Sequence, residues 1–213
     1  MSARTQHRCR SRQSNMTPLQ DWRKGVIRSA LAMALALLPG ALFAAPESYT
    51  IDPRHTFPRW AVSHHGFSIH RGQFNKTTGK LVMDWSAKTG RIDIELETAS
   101  IGTGDHELDK VLRSPNWFDT DKHPRMTYRS TTMRFEQDVP VSVTGDLTLL
   151  GVTRPITFRI SGVKCGNHPV IKKGLCGAEV TGSIKRSEFG MKASLPSIGD
   201  DVQLTIQFEA FRD

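Results

Sequence analysis

Apolar and polar residues alternate with a period of two along most of the chain after residue 48. In the clearest example, Ile92, Ile94 and Leu96 are separated by polar or charged residues. The same alternation marks residues 141–149, 156–160 and 202–210, and more weakly residues 57–63, 72–74, 81–85, 126–135 and 178–185. A period of two puts the apolar side chains on one face of a β-strand. The pattern therefore predicts strands with one buried face.

Segments rich in Gly, Pro and short polar residues separate these strands. The predicted turns and loops cover residues 76–79, 88–90, 151–155 and 165–176. The number of strands and the absence of a βαβ rhythm predict an all-β domain, either a sandwich or a barrel. We favour an antiparallel barrel of about eight strands, because closing the sheet removes its exposed edges and leaves room for side chains or one small ligand.

One segment between the strands has a helical pattern instead. Leu108, Val111 and Leu112 recur at the spacing of a helix face. Pro115 ends the predicted helix, because the residue before a proline is kept out of the α conformation. Asp105 precedes the helix and is the predicted N-cap. The sequence thus predicts one short helix within the β-domain.

An aromatic pair, Trp117 and Phe118, follows this helix directly. Two side chains of this size are too apolar to remain in water, so the segment is expected to fold back onto an apolar surface. The helix and the pair together, residues 100–124, are predicted to form a lid at the mouth of a pocket.

The N-terminal 44 residues have the pattern of a secretory signal peptide. A basic stretch around Arg23, Lys24 and Arg28 precedes an apolar stretch at 29–43 and small residues at the predicted cleavage site after Ala44. The apolar stretch is short for a membrane span, which needs about 20 residues. Residues 45–213 are then one mature domain, exported to the periplasm.

The net charge of +8 belongs mostly to this leader. Residues 1–44 hold seven Lys/Arg and one Asp of the chain's 29 basic and 21 acidic residues, which leaves 22 and 20. The mature domain has no basic cluster able to neutralise a run of phosphates, so nucleic acid is not an expected partner.

Two cysteines remain in the mature domain, Cys165 and Cys176. An even pair in an exported protein predicts a disulfide. The alternative is a metal site that uses both thiolates with His168, although the sequence offers no fourth ligand nearby. No metal or other cofactor is expected.

Catalytic motifs are missing from the sequence. It contains no phosphate-binding glycine loop and no Gly-x-Ser-x-Gly elbow, and the histidines do not have metal-ligand spacing. The histidines are interpreted as surface or locally hydrogen-bonded residues. A non-enzymatic function is expected, with a periplasmic metal-dependent enzyme that uses His and acidic residues as the alternative.

Several segments together resemble the YceI family of lipocalin-like, polyisoprenoid-binding proteins. They run in the family's order from Tyr49 to Phe211. The segments are Tyr49 to Asp52 with His55, Arg71 to Phe74, Ser100 to Pro124, Thr144 to Leu149, Gly151 to Pro155 and Arg186 to Met191. Leu108 and Trp117 depart from the family's usual residues, which leaves the identity of the ligand open. The resemblance implies a barrel whose apolar cavity holds the tail of a quinone, a polyprenyl compound or another amphiphile.

Two sets of residues are candidates for contact with such a lipid. The candidates for contact with the tail are Phe67, Phe74, Trp85, Leu112, Trp117, Phe118, Phe135, Phe158, Phe189 and Met191. The candidates for contact with a polar headgroup are Arg71, Arg113, Lys185 and Arg186. The first set would look the same in a solidly filled barrel, and the second could be solvated charges at strand ends.

The function predicted from the sequence is a periplasmic carrier or store of one amphiphilic lipid. A membrane protein is a candidate donor or acceptor of the lipid, and homodimer formation is left open. The remaining alternative is a filled barrel that binds a membrane-protein partner through its outer face.

Overall fold

A computed structural model describes residues 45–213, and the predicted signal peptide lies outside the described residues. This part of the chain contains eleven strands and one α-helix. The strands are β1 (Glu47–Ile51), β2 (Phe57–His64), β3 (Ser68–Phe74), β4 (Thr77–Asp84), β5 (Thr89–Glu97), β6 (Ile101–Gly102), β7 (Arg125–Glu136), β8 (Val139–Leu149), β9 (Val152–Asn167), β10 (Gly174–Lys185) and β11 (Ile198–Arg212). Helix α1 spans His106–Arg113, and short 3-10 helices cover Thr98–Ser100 and Arg186–Phe189.

Eight of the strands close into an antiparallel barrel in the order β1-β4-β5-β7-β8-β9-β10-β11, with β11 pairing back to β1. The predicted barrel with one short helix is confirmed. The other three strands, β2, β3 and β6, extend from β11 beside the barrel. Strands β1 and β2 share the same edge of β11, so β11 reaches both the barrel and this extension.

The alternation in β11 shows how the sequence sets the two faces. Asp201, Gln203, Thr205 and Gln207 are exposed, whereas the residues between them are partly buried. The core consists of the inward side chains of the barrel together with Phe189 and Ile101, which are almost fully buried.

Two predicted loops are shorter than the sequence suggested. Residues 165–176 were expected to form a loop, but β9 and β10 run through both cysteines and only residues 168–173 turn. The expected turn at 76–79 also ends early, because Thr77 and Thr78 already pair with Leu96 and Glu95 of β5. In both places backbone pairing across the sheet overrides the local turn preference of Gly and polar residues.

Candidate ligand-binding cavity

The barrel encloses a cavity of about 620 Å³. This volume lies within the range of about 300–1,000 Å³ that is usual for small-molecule sites. Its wall consists mainly of apolar side chains from β2, β4, β5 and β7 to β11. The interior is therefore hollow, contrary to the alternative of a barrel filled by its own side chains.

Residues halfway along the strands explain the open space. Val180 on β10 pairs with Ile160 on β9 and with Ile206 on β11, and all three face the cavity. They point inward yet are only partly buried. Aliphatic side chains of medium size on neighbouring strands do not reach across the barrel, so the middle stays empty.

Aromatic side chains line parts of the wall. The Phe158 ring meets Tyr128 edge to face, with the ring centroids 5.1 Å apart. Gly182 on β10 makes room for this ring, since a Cβ atom there would lie 2.6 Å from Phe158 Cδ1. Burial raises the pKa of Tyr128, whose hydroxyl donates to the Val143 and Ile156 carbonyls. Tyr128 thus contributes a neutral surface to the cavity.

Helix α1 closes one end of the cavity and is held in place by its two termini. The Asp105 carboxylate accepts hydrogen bonds from the Glu107 and Leu108 amides, which confirms the predicted N-cap. At the other end, Arg113 donates to the Ala99 and Ile101 carbonyls at 2.9 Å. The helix therefore presents a fixed apolar face to the cavity.

The aromatic pair that follows the helix completes this lid. Phe118 packs edge to face against Phe74 of β3, with the ring centroids 5.4 Å apart, and its amide donates to the Leu112 carbonyl. Trp117 lies under the guanidinium of Arg186, whose Cζ is 5.2 Å from the ring centroid. All of these side chains line the cavity.

Arg186 is a buried charge of this region, with 2% of its surface exposed. Its Nε, Nη1 and Nη2 atoms donate to the carbonyls of Gly199, Met191 and Ile198 at 2.8–3.0 Å. Burial lowers the pKa of Arg186 and Asp200 opposes that effect, so the side chain stays charged. A guanidinium has five N–H groups, and three of them are used here for backbone carbonyls.

Three histidines line the cavity on the β2–β3 hairpin: His64, His65 and His70. The rings of His64 and His70 stack with centroids 3.9 Å apart, and His65 meets His64 edge to face at 4.4 Å. Burial lowers the pKa of His64, and charge on His70 or His65 would lower it further. The folded hairpin therefore favours the neutral form of His64.

Cys165 and Cys176 are bonded to each other and also lie on the cavity wall. The two residues face each other across β9 and β10, with their Cα atoms 4.1 Å apart. The predicted disulfide is confirmed. The alternative metal site with His168 is excluded in this state, because neither sulfur is a free thiolate.

A cluster of metal-ligand type lies outside the cavity wall, at the corner between β1 and β2. His55 Nδ1 is 2.6 Å from Asp52 Oδ2 and 3.9 Å from Glu209 Oε2. The hydrogen bond with Asp52 raises the pKa of His55. Burial raises the pKa of Asp52, but its hydrogen bonds with His55 and Arg54 outweigh this and lower it overall. The arrangement fastens the corner to β11, where the Asp52 amide donates to the Glu209 carbonyl.

Comparison with known proteins agrees with this architecture. Residues 49–210 match the model of the YceI-like domain. The chain is 32% identical to the protein YceI of Shigella flexneri over 186 residues, which are 85% of this chain and 96% of that protein. The chain belongs to the YceI family. A UPF0312 protein of Pseudomonas putida is 35% identical, over 77% of this chain and 86% of that protein.

Solved structures extend the relationship. A YceI protein of Campylobacter jejuni superposes with a TM-score of 0.60 at 28% identity and covers 71% of this chain and 90% of its own. Burkholderia cenocepacia BcnA and a polyisoprenoid-binding domain of Saccharophagus degradans share the fold. Their TM-scores are 0.65 and 0.58, at 20% and 16% identity, and they cover 75% and 78% of this chain and 98% and 99% of their own.

The YceI barrel brings most of the predicted tail-contact residues to one surface. Those that line the cavity are Phe74, Trp85, Leu112, Trp117, Phe118, Phe158 and Met191. Three others lie outside the wall. Phe67 is 94% exposed at the hairpin tip, Phe189 is fully buried behind the wall, and Phe135 packs against the core near the end of β7.

The four basic candidates are spread over the YceI fold. Arg186 lines the cavity. Arg113 is used to hold the lid, and Lys185 forms an ion pair with Asp201 at 2.8 Å. Arg71 lies on the outer side of β3, where it donates to the Ile69 carbonyl.

Sequence reasoning missed part of the cavity wall. Trp60, Val62 and His64 of β2 line it, although the alternation in this strand is weak. His65 also lines the cavity. Neighbouring residues of a strand point to opposite faces, but the left-handed backbone of His65 (φ of 53°) turns the chain, so this rule does not apply to His64 and His65. Such a turn is signalled only by the Gly66 that follows.

Proposed function

We propose that the protein binds one isoprenoid-type or other amphiphilic lipid, with the tail inside the barrel, and carries or stores it in the periplasm. The hollow, apolar cavity of about 620 Å³ is the observation on which this proposal rests. A cavity lined by aliphatic and aromatic side chains suits a ligand without polar groups along most of its length.

The energetics support an oily ligand. Burial of a hydrocarbon tail releases about 0.8 kcal/mol per carbon, so a five-carbon isoprenoid unit contributes roughly 4 kcal/mol before costs. A few such units exceed the free energy lost when ligand and side chains become ordered. Tight binding then needs no strong polar contact.

The lid end suits the polar headgroup. Arg186 supplies a positive charge at this end, and the three hairpin histidines add polar atoms to a wall that is mainly apolar. A quinone carbonyl or a phosphate could accept from the guanidinium. We expect the headgroup at this end and the tail toward the disulfide.

Family membership supports binding rather than catalysis. The Saccharophagus degradans relative of the same fold is described as a polyisoprenoid-binding domain. Export to the periplasm is supported by the signal-like N-terminal sequence and by the disulfide, which persists in oxidising compartments. No helix in residues 45–213 combines the length and the apolar character needed to cross a bilayer.

Mass spectrometry of lipids extracted from protein purified without detergent tests the proposal. We expect one dominant isoprenoid-type or other amphiphilic lipid per chain. Lipid-free protein should take up a quinone with an isoprenoid tail, detected by quenching of Trp60, Trp85 and Trp117 in the cavity wall. The same quinone without its tail is the control and should bind at least a hundred-fold more weakly. A preparation without lipid that also takes up no quinone or polyprenyl compound would refute the proposal.

A further inference from the structure

The tip of the β2–β3 hairpin exposes large apolar side chains beside the lid end of the cavity. Phe67 is 94% exposed and Ile69 is 47% exposed. Phe67 follows His65 and Gly66, whose left-handed backbone (φ of 53° and 73°) forms the turn. Together the two side chains form an exposed apolar patch on a structured turn, and such patches mark interaction sites more often than isolated apolar residues do.

The tip is fixed rather than loose. The Phe67 amide donates to the His64 carbonyl at 3.0 Å, and the His65 amide donates to Ser197 in the neighbouring loop at 2.7 Å. Both histidines line the cavity, so the exposed side chain lies two residues from the cavity wall. Whatever the tip contacts is therefore brought next to the cavity.

The charges of the hairpin itself favour an anionic partner. No Asp or Glu occurs between Asp52 and Asp84, a stretch that contains both strands of the hairpin. Arg71 lies on the outer side of β3 and bends back toward the tip by donating to the Ile69 carbonyl at 3.2 Å. Lys192 in the adjacent loop adds another exposed cation.

An exposed apolar tip on a hairpin that carries cations and no acidic residue has the composition of an interfacial membrane anchor. We propose that Phe67 and Ile69 form a docking tip that inserts into the surface of an anionic bilayer and places the lid end of the cavity against it. This inference deepens the proposed function, because docking would bring the cavity to the membrane in which the lipid ligand dissolves.

A second apolar turn provides a matched control. Val170 and Ile171, between β9 and β10, are 78% and 56% exposed and are followed by Lys172 and Lys173. Strand order places this turn at the opposite end of the barrel, where β10 begins beside the end of β11. Replacing these two residues removes a similar apolar surface at the end of the barrel opposite to the proposed docking tip.

Vesicle co-sedimentation tests the docking tip with purified protein and vesicles of phosphatidylcholine, with and without phosphatidylglycerol. Phe67→Ser with Ile69→Ser should weaken binding to the anionic vesicles at least about ten-fold. Val170→Ser with Ile171→Ser should change it less than about two-fold. The wild type should bind the neutral vesicles more weakly and should lose binding as salt is added.

Ligand uptake distinguishes this inference from the proposed function. The docking-tip variant should bind a quinone delivered from ethanol like the wild type, but should extract it from vesicles about ten-fold more slowly. Equal vesicle binding by wild type and variant overturns the docking tip, as does a loss caused only by the control variant. A shift from dimer to monomer in the variant also overturns it, because a second copy would then cover Phe67. If the wild type and both variants take up no quinone while the wild type still binds anionic vesicles, the lipid-binding function is overturned and the docking tip is retained.

Discussion

Filling the middle of the cavity should weaken lipid binding strongly without unfolding the barrel. Val180 lies at the centre of the wall, between Ile160 and Ile206 on the neighbouring strands. Val180→Trp adds about seven non-hydrogen atoms to a wall residue that faces the cavity of about 620 Å³.

The same number of lipid carbons would lose their place in the cavity. At about 0.8 kcal/mol per carbon, the loss is roughly 5 kcal/mol of binding free energy before the tail rearranges. Part of a long tail can shift within the barrel, so we expect a Kd increase of at least about a hundred-fold. Overpacking costs about 1–3 kcal/mol in a core that is already full. Because Val180 faces open space, the cost to the fold should be smaller here.

Isothermal titration of lipid-free protein with an isoprenoid quinone measures the effect, and calorimetry gives the Tm. Ser183→Trp is the control, since Ser183 is exposed on the outer face of the same strand. It should leave the Kd unchanged. If Val180→Trp binds the quinone within about three-fold of the wild type while its Tm is normal, the tail does not occupy the barrel. A Tm loss of more than about 10 °C would instead mean that the centre was already packed.

Four further changes test other parts of the structure. Replacing Cys165 and Cys176 by Ser opens a cross-link with a sequence separation of 11 and should cost about 3 kcal/mol, or roughly 6–12 °C in Tm by calorimetry, without abolishing lipid binding. Asp105→Ala removes the helix N-cap and should cost about 1 kcal/mol in urea unfolding. Arg186→Met leaves three buried carbonyls without their donor and should cost about 3 kcal/mol or more, with Arg186→Lys recovering only part. The pKa of His64 is lowered in the fold, so the unfolded chain binds more protons, and the free energy of unfolding should fall as the pH drops below 6.5. His64→Gln should make this pH dependence shallower, as measured by unfolding at several pH values.

The strands and the lid were predictable because both depend on local patterns. Ile92 and Leu96 alternate with polar residues and are buried on one face of β5. Leu108 and Leu112 have helical spacing, and both face the cavity from α1. Asp105 precedes the helix and caps it. In each case residues a few positions apart decide the outcome, so one sequence contains the needed information.

The hollow interior was not predictable in the same way. Phe158 and Phe189 are both large, apolar and embedded in a β-rich sequence, yet one lines the cavity and the other is buried behind its wall. The difference depends on neighbours distant in sequence, such as Gly182, which leaves room for Phe158. Phe67 differs again, since only the hairpin geometry shows that it is exposed.

A barrel can leave its centre empty only if other contacts stabilise it. Strand β1 pairs with β11 and closes the sheet, so neither of these two strands leaves an open edge where the barrel closes. Large side chains such as Phe189 and Ile101 are packed toward the ends and the lid, where they are fully buried. Residues of medium size, including Ile160 and Val180, occupy the middle. Stability is thus supplied by the closed backbone and the packed periphery. Substitutions that enlarge the central side chains should affect lipid binding before they affect folding.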